Sequence, residues 1–166
     1  GNRTSEKNAA GETKWAYNAT HNVISTTTPR GETTTIERDA NGNVESVSRP
    51  GPKETTQTIT FAYDENGQLE SFTDPLKRTW SYGYNPQGDR TSEADPLGNT
   101  QTFGYDKASR LTSMVMPRGN VEGAEPAEFE MTVERDPQGR PLTVADPLGH
   151  TIEYAYDGNG NLKAKT

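Results

Sequence analysis

The chain has 166 residues, a formal net charge of −7 and no cysteine. Its acidity, with no basic run, excludes the usual footprint for nucleic acid or an anionic membrane, and the missing thiols exclude disulfides, thiolate metal sites and cysteine nucleophiles. Only 28% of residues are hydrophobic and mean hydropathy is −1.00, too little for an ordinary compact sandwich, and no stretch approaches the roughly 18–20 apolar residues of a membrane helix.

From the start of the chain, Gly1-Asn2-Arg3-Thr4-Ser5 aligns with Gly88-Asp89-Arg90-Thr91-Ser92, and Gly11 aligns with Gly98. The opening residues therefore read as the middle of a repeating unit, just after a turn glycine. The unit announces itself by an anchor: a tyrosine or arginine, then an acidic or amide residue, with glycine following at the fourth place of the turn. The anchors are Tyr17-Asn18, Arg38-Asp39 with Gly42, Tyr63-Asp64 with Gly67, Tyr84-Asn85 with Gly88, Tyr105-Asp106, Arg135-Asp136 with Gly139, and Tyr156-Asp157 with Gly160. Their spacings are 21, 25, 21, 21, 30 and 21 residues. A fixed period of this size signals an array built from one small unit.

The unit is clearest from Thr79 to Tyr105. Thr79-Trp80-Ser81-Tyr82-Gly83-Tyr84 alternates small or polar residues with aromatics, which is strand periodicity. Asn85-Pro86-Gln87-Gly88 is a turn. Asp89 to Ala94 is a second, more polar strand, and Asp95-Pro96-Leu97-Gly98 is a second turn. Asp can bond the backbone two residues on, proline presets φ, and glycine accepts the positive φ of a type I turn with a bulge. Asp146-Pro147-Leu148-Gly149 repeats that turn. Asp74-Pro75-Leu76-Lys77 repeats it without the glycine, so Lys77 is expected to carry left-handed strain. Gly, Pro, Asn and Asp interrupt every run, which excludes long helices. The expectation is an all-β fold, a meander of tandem antiparallel hairpins.

The side-chain pattern predicts a buried stripe. Trp80, Tyr82 and Tyr84 share one strand face, as do Phe103 with Tyr105, Ile59 with Phe61 and Tyr63, and Ile152 with Tyr154 and Tyr156. Behind the turns, Val44, Leu69, Leu111, Leu142 and Leu162 form an aliphatic ladder. Cross-strand pairs of these kinds contribute roughly 0.2–1 kcal/mol each. Two spacers, near residues 50–56 and 119–128, break the period by four and nine residues and read as surface loops on one side of the array. The chain stops at Leu162-Lys163-Ala164-Lys165-Thr166, part-way through a polar strand. Residues 1–166 are expected to form a single array cut from a longer protein, with open strand edges prone to self-association.

No reactive constellation emerges. His21 and His150 lack a second ligand at metal spacing, and His150 takes the place of Asn99 as a solvent-facing strand residue. No serine stands in a nucleophile elbow, and no phosphate loop is present. Asp39-Ala40-Asn41-Gly42-Asn43 and Asp157-Gly158-Asn159-Gly160-Asn161 open like calcium loops, but Val44 and Leu162 occupy the required glycine position. Their residues are turn formers, as are Asp74, Asp95 and Asp146. Asn2-Arg3-Thr4 and Asn18-Ala19-Thr20 match the glycosylation pattern, which recurs by chance in such a composition. The expectation is no catalytic residue, no cofactor and no metal. The repeat positions themselves are Tyr63, Asp64, Gly67, Leu69, Tyr84, Gly88, Asp95, Pro96, Gly98, Tyr105, Asp106, Leu111, Asp146, Pro147, Gly149, Tyr156, Asp157 and Gly160.

Tyr63-Asp64-Glu65-Asn66-Gly67-Gln68-Leu69, and Asp95-Pro96-Leu97-Gly98-Asn99-Thr100 leading into Tyr105-Asp106, resemble the YD repeats of the Rhs family, and the resemblance runs over nearly the whole chain. It implies a long, curved β-sheet forming part of a hollow shell. In that family, of large bacterial polymorphic toxins with relatives in insecticidal toxin complexes and teneurins, the shell encloses a C-terminal toxin domain, often freed by self-cleavage. The implied partners are the remaining shell repeats of the same polypeptide, the enclosed toxin domain and a type VI secretion spike; the implied destination is outside the producing cell or inside a target cell. The cleavage motif is absent, since Gly98 is followed by Asn99 and Gly149 by His150. A carbohydrate- or cell-surface-binding module is the alternative. Solvent access to Trp15, Trp80, Tyr82 and Tyr154 discriminates between the two.

Overall fold

The computed structural model describes residues 1–166 and is all-β, with fifteen strands. The chain divides into two units, Gly1–Thr79 and Trp80–Thr166. The first holds β1 (Ser5–Asn8), β2 (Gly11–Tyr17), β3 (Val23–Thr27), β4 (Thr33–Arg38), β5 (Val44–Pro50), β6 (Thr56–Tyr63) and β7 (Leu69–Thr73). β8 (Thr79–Tyr84), from its second residue on, opens the second, followed by β9 (Arg90–Ala94), β10 (Thr100–Tyr105), β11 (Leu111–Val115), β12 (Glu130–Arg135), β13 (Pro141–Ala145), β14 (Thr151–Tyr156) and β15 (Leu162–Lys165). Within each unit every strand pairs antiparallel with its neighbour in sequence. This is the expected meander.

Alternation places the Tyr-Asp turns along one edge of each unit. The Asp-Pro turns lie along the opposite edge, as do both spacers. The spacers fold into short 3-10 turns, Pro52–Glu54 in one and Pro117–Asn120 with Pro126–Phe129 in the other. Asn120 pins the longer spacer to the sheet: its amide donates to the carbonyls of Thr100, Val115 and Met116, and its Oδ1 accepts from Thr102 Oγ1. Gly119 is buried there, and a Cβ on it would stand 2.7 Å from Val115 Cγ1 and 2.9 Å from Phe129 Cβ.

The expected buried stripe is corrected by the structure. No hydrophobic side chain is fully buried, and Trp80, Tyr82, Tyr84 and Tyr156 are all half-buried. Contacts run almost entirely between adjacent strands, so no second layer covers either face of these strands. The apolar pairs that do form cross the ladder directly: Ile36–Val47–Ile59, Phe61–Phe72, Phe103–Met114–Met131 and Val133–Val144–Ile152. The rings of Phe61 and Phe72 lie 6.4 Å apart and tilted, within the range of favourable aromatic pairs.

The aliphatic ladder needs one correction. Each Tyr-Asp hairpin carries a one-residue bulge just after the anchor pair. Arg135 pairs with Pro141, and Glu134 with Thr143, so Leu142 is the bulged residue and is 39% exposed. Proline holds the ladder position instead. Leu162 pairs with Tyr156 yet is exposed. Gly11 also departs from its alignment with Gly98. It shares a positive φ with Gly98, 121 against 83, but it opens β2 directly opposite Asn8 of β1, whereas Gly98 lies inside its loop.

Candidate functional site

The recurring site is the turn, and one geometry serves both edges. At Asp95 the carbonyl accepts from Gly98 N–H at 2.9 Å, and its own N–H donates to Asn99 at 3.0 Å. Its carboxylate Oδ1 accepts from the N–H groups of Leu97 and Asn99. Asp64, Asp146 and Asp157 hold the same bonds to their own turns. Asp106 does so with Ser109 in the glycine place. This is a type I turn closed by a left-handed residue. Gly67, Gly88, Gly98, Gly149 and Gly160 take that left-handed place. Lys77 occupies it at φ 64, as expected, and so do His21 at φ 63 and Ser109 at φ 57, which the sequence reading did not single out. Pro96 and Pro147 stand at the second place, where their fixed φ fits.

In seven of the aspartate turns a fifth residue completes the turn, and it escaped sequence reasoning. Its side chain grips the second carboxylate oxygen; at Asn85 the bond runs the other way, from Asn85 Nδ2 to Asp89 Oδ2. Asn99 Nδ2 donates to Asp95 Oδ2 at 2.7 Å, Asn43 to Asp39 and Asn161 to Asp157 at 3.0 Å, and Arg110 Nε to Asp106 at 2.7 Å. Arg78 grips Asp74, and Arg140 Nε grips Asp136 at 2.6 Å. His150 Nδ1 lies 2.8 Å from Asp146 Oδ2, so His150 is a turn clamp as well as a solvent-facing residue. The signal was available: Asn, Arg or His directly after the turn glycine or its substitute.

These bonds hold the carboxylates below their ordinary range. Side-chain bonds from Asn43, Asn99, His150 and Asn161 are the leading cause at Asp39, Asp95, Asp146 and Asp157. At Asp74, Asp106 and Asp136 desolvation is the largest influence and pushes upward, but bonds from Arg78, Arg110 and Arg140 outweigh it. The two stretches that open like calcium loops have their carboxylates occupied in this way. No three His, Asp or Glu side chains gather as a metal cluster.

The anchor residue ties one hairpin to the hairpin before it. Tyr105 Oη donates to the carbonyl of Arg90 at 3.0 Å, Tyr63 Oη to Val44 at 3.1 Å and Tyr17 Oη to Arg3 at 2.6 Å. Arg135 does the same with its guanidinium, reaching the Leu111 carbonyl at 3.3 and 3.2 Å and the Gly139 carbonyl of its own turn at 3.2 Å. Tyrosine and arginine share the anchor position because both carry a donor on a long arm. The tie spans 15 residues at Tyr105, 19 at Tyr63 and 24 at Arg135. The excess at the last two equals the length of each spacer, so the spacers leave the tie intact. Tyr84 and Tyr156 stand at the same register, opposite Arg90 and Leu162, and Leu69 and Leu111 face Tyr63 and Tyr105.

A serine row was also missed. Ser25, Ser46, Ser71, Ser92 and Ser113 face Ala16, Glu37, Ala62, Gly83 and Gly104, and they follow the 21, 25, 21, 21 spacing of the anchors. A Cβ on Gly83 or Gly104 would stand 2.5 or 2.6 Å from the opposing serine Oγ as that side chain lies, whereas alanine or glutamate holds the same place in the other three hairpins. The rings weighed as sugar platforms are half-buried, and cations lie over several. Arg3 lies over Trp15 at 5.9 Å, Arg90 over Tyr82 at 5.6 Å and Lys165 over Tyr154 at 5.6 Å. Leu76, Leu97 and Leu148, at the third place of the Asp-Pro turns, are 73%, 87% and 81% exposed.

Hairpin after hairpin, four of them tied to the one before through a Tyr or Arg donor at Tyr17, Tyr63, Tyr105 and Arg135, defines a tandem β-repeat protein. The model of the RHS Repeat family matches residues 1–33, 17–53, 63–100, 85–121 and 135–166, most of the chain, and the chain belongs to that family. Among solved structures it is similar to the Photorhabdus luminescens Tc holotoxin pore with a mutated TccC3 (TM-score 0.68, 18% identity, 93% of this chain and 9% of that one). It is also similar to the TcdB2-TccC3 crystal structure (TM-score 0.55, 15% identity, 99% of this chain and 11% of that one). The chain thus spans about a tenth of the length of either. These likenesses concern the fold. The comparison with curated proteins gives no match.

Proposed function

We propose that residues 1–166 are one continuous stretch of wall in a larger RHS-repeat shell, and that the shell encloses a C-terminal toxin domain until delivery. The observation that carries this reading is the anchor tie, which reaches the equivalent carbonyl of the preceding hairpin across two spacers of different length, by a tyrosine hydroxyl in one case and a guanidinium in the other. A sheet built this way extends without limit and presents no reactive centre. Tc toxin structures contain stretches of the same fold, which favours an encapsulating role. The named Tyr, Asp, Pro and Gly positions then serve construction, with no catalytic duty. Partners are the remaining repeats of the same polypeptide, the enclosed cargo and a secretion spike, in competition between bacteria. The exposed leucines of the Asp-Pro turns suit contact with a neighbouring stretch of shell.

Limited proteolysis of the intact parent tests this. The cargo should resist protease while the wall is whole and become sensitive when residues 85–121 are deleted. Equal sensitivity in both would refute the enclosing role.

A further inference from the structure

Three Tyr-Asp-type turns place an asparagine third and a glycine fourth: Asn41-Gly42, Asn66-Gly67 and Asn159-Gly160. Every other asparagine precedes a bulkier residue. Before glycine, which has no side chain to obstruct the approach, the following backbone nitrogen reaches the asparagine Cγ most easily. The nitrogen loses its proton and forms a bond to Cγ, while the Cγ–NH2 bond breaks and ammonia departs with the proton. The five-membered succinimide then takes up water and opens to aspartate or isoaspartate. No oxidant or reductant takes part. All three asparagines are exposed, so water reaches them freely.

The folded turn opposes the first step. The glycine N–H that must act as nucleophile is a committed donor: Gly42 to the Asp39 carbonyl, Gly67 to Asp64 and Gly160 to Asp157, each at 3.0 Å. The asparagine N–H is committed too, to Oδ1 of the same aspartate at 2.9 Å in all three turns. Both peptide planes flanking the asparagine are thus held by one residue. We propose that Asn41, Asn66 and Asn159 are latent self-modification sites gated by their turns: silent while the turn is closed, and reactive once it opens. The isoaspartate product carries one extra methylene in the backbone. It can no longer place the glycine N–H on the aspartate carbonyl, so an opened turn stays open. The Tyr-Asp edge therefore keeps a chemical record of its own opening.

The test is peptide mapping by mass spectrometry with isoaspartyl methyltransferase labelling, after incubation of the 166-residue chain in mildly alkaline buffer. In the folded chain all three sites should react at least about tenfold more slowly than in urea, corresponding to an opening free energy of about 1.4 kcal/mol or more. Asp64→Ala should accelerate Asn66 alone, with Asn41 and Asn159 as controls in the same molecule. If that variant unfolds and all three accelerate together, Glu65→Pro decides. It installs the proline already present at Pro86 and Pro137, stiffens the turn, and should slow Asn66 alone. Equal rates in folded and urea-treated chain, or an Asn66 rate unmoved by Glu65→Pro, overturn the proposal.

Discussion

At the residue scale the turn carboxylates set the response to acid. The folded turns hold Asp39, Asp74, Asp95, Asp106, Asp136, Asp146 and Asp157 below their ordinary value, which is about 3.9 in an unfolded chain. A depressed folded pKa favours the folded state above that value, and the contribution is lost as pH falls below it. Thermal melts should therefore be flat from neutrality down to about pH 5 and drop steeply below about pH 4. Replacing these seven aspartates with asparagine should flatten that acid limb. The left-handed positions give a second expectation. Lys77→Gly relieves a φ of 64 and should stabilise by about 1 kcal/mol, seen as a Tm rise of about 2–4 °C. The Asp, Pro and Gly of these turns were legible in the sequence because their backbone roles are local. The clamp at the fifth place was not, because Asn, Arg and His meet the same carboxylate with different atoms and share no residue type.

At the element scale the hairpins are coupled by the anchor donor. Tyr105→Phe deletes the bond to the Arg90 carbonyl and keeps the ring, so it should cost about 1 kcal/mol in urea denaturation. Arg135→Leu deletes the bonds to Leu111 and Gly139 and should cost about 1.5–3 kcal/mol. The period and the turn chemistry gave away the strands, including β8 at Thr79–Tyr84. Two things stayed hidden. The bulge after each anchor changes which face follows, so Leu142 read as ladder while Pro141 holds that place. The serine row was invisible because serine carries no turn or core signal; it appears only in register, where glycine or alanine faces four of the five serines and Glu37 faces Ser46.

At the scale of the whole chain, low hydrophobicity and an absent core belong together: strands that contact only their neighbours need little apolar material, and stability is a sum over adjacent ties. The exposed leucines contribute nothing to that sum. Replacing Leu97 and Leu148 with serine should leave the melting curve of the 166-residue chain within about 0.5 kcal/mol of the parent curve. The most direct test of the walling role is cryo-electron microscopy of the intact parent polypeptide. We expect residues 1–166 as contiguous hairpins in the wall of a closed shell with density inside. An open rod of the same hairpins, enclosing nothing, would contradict it.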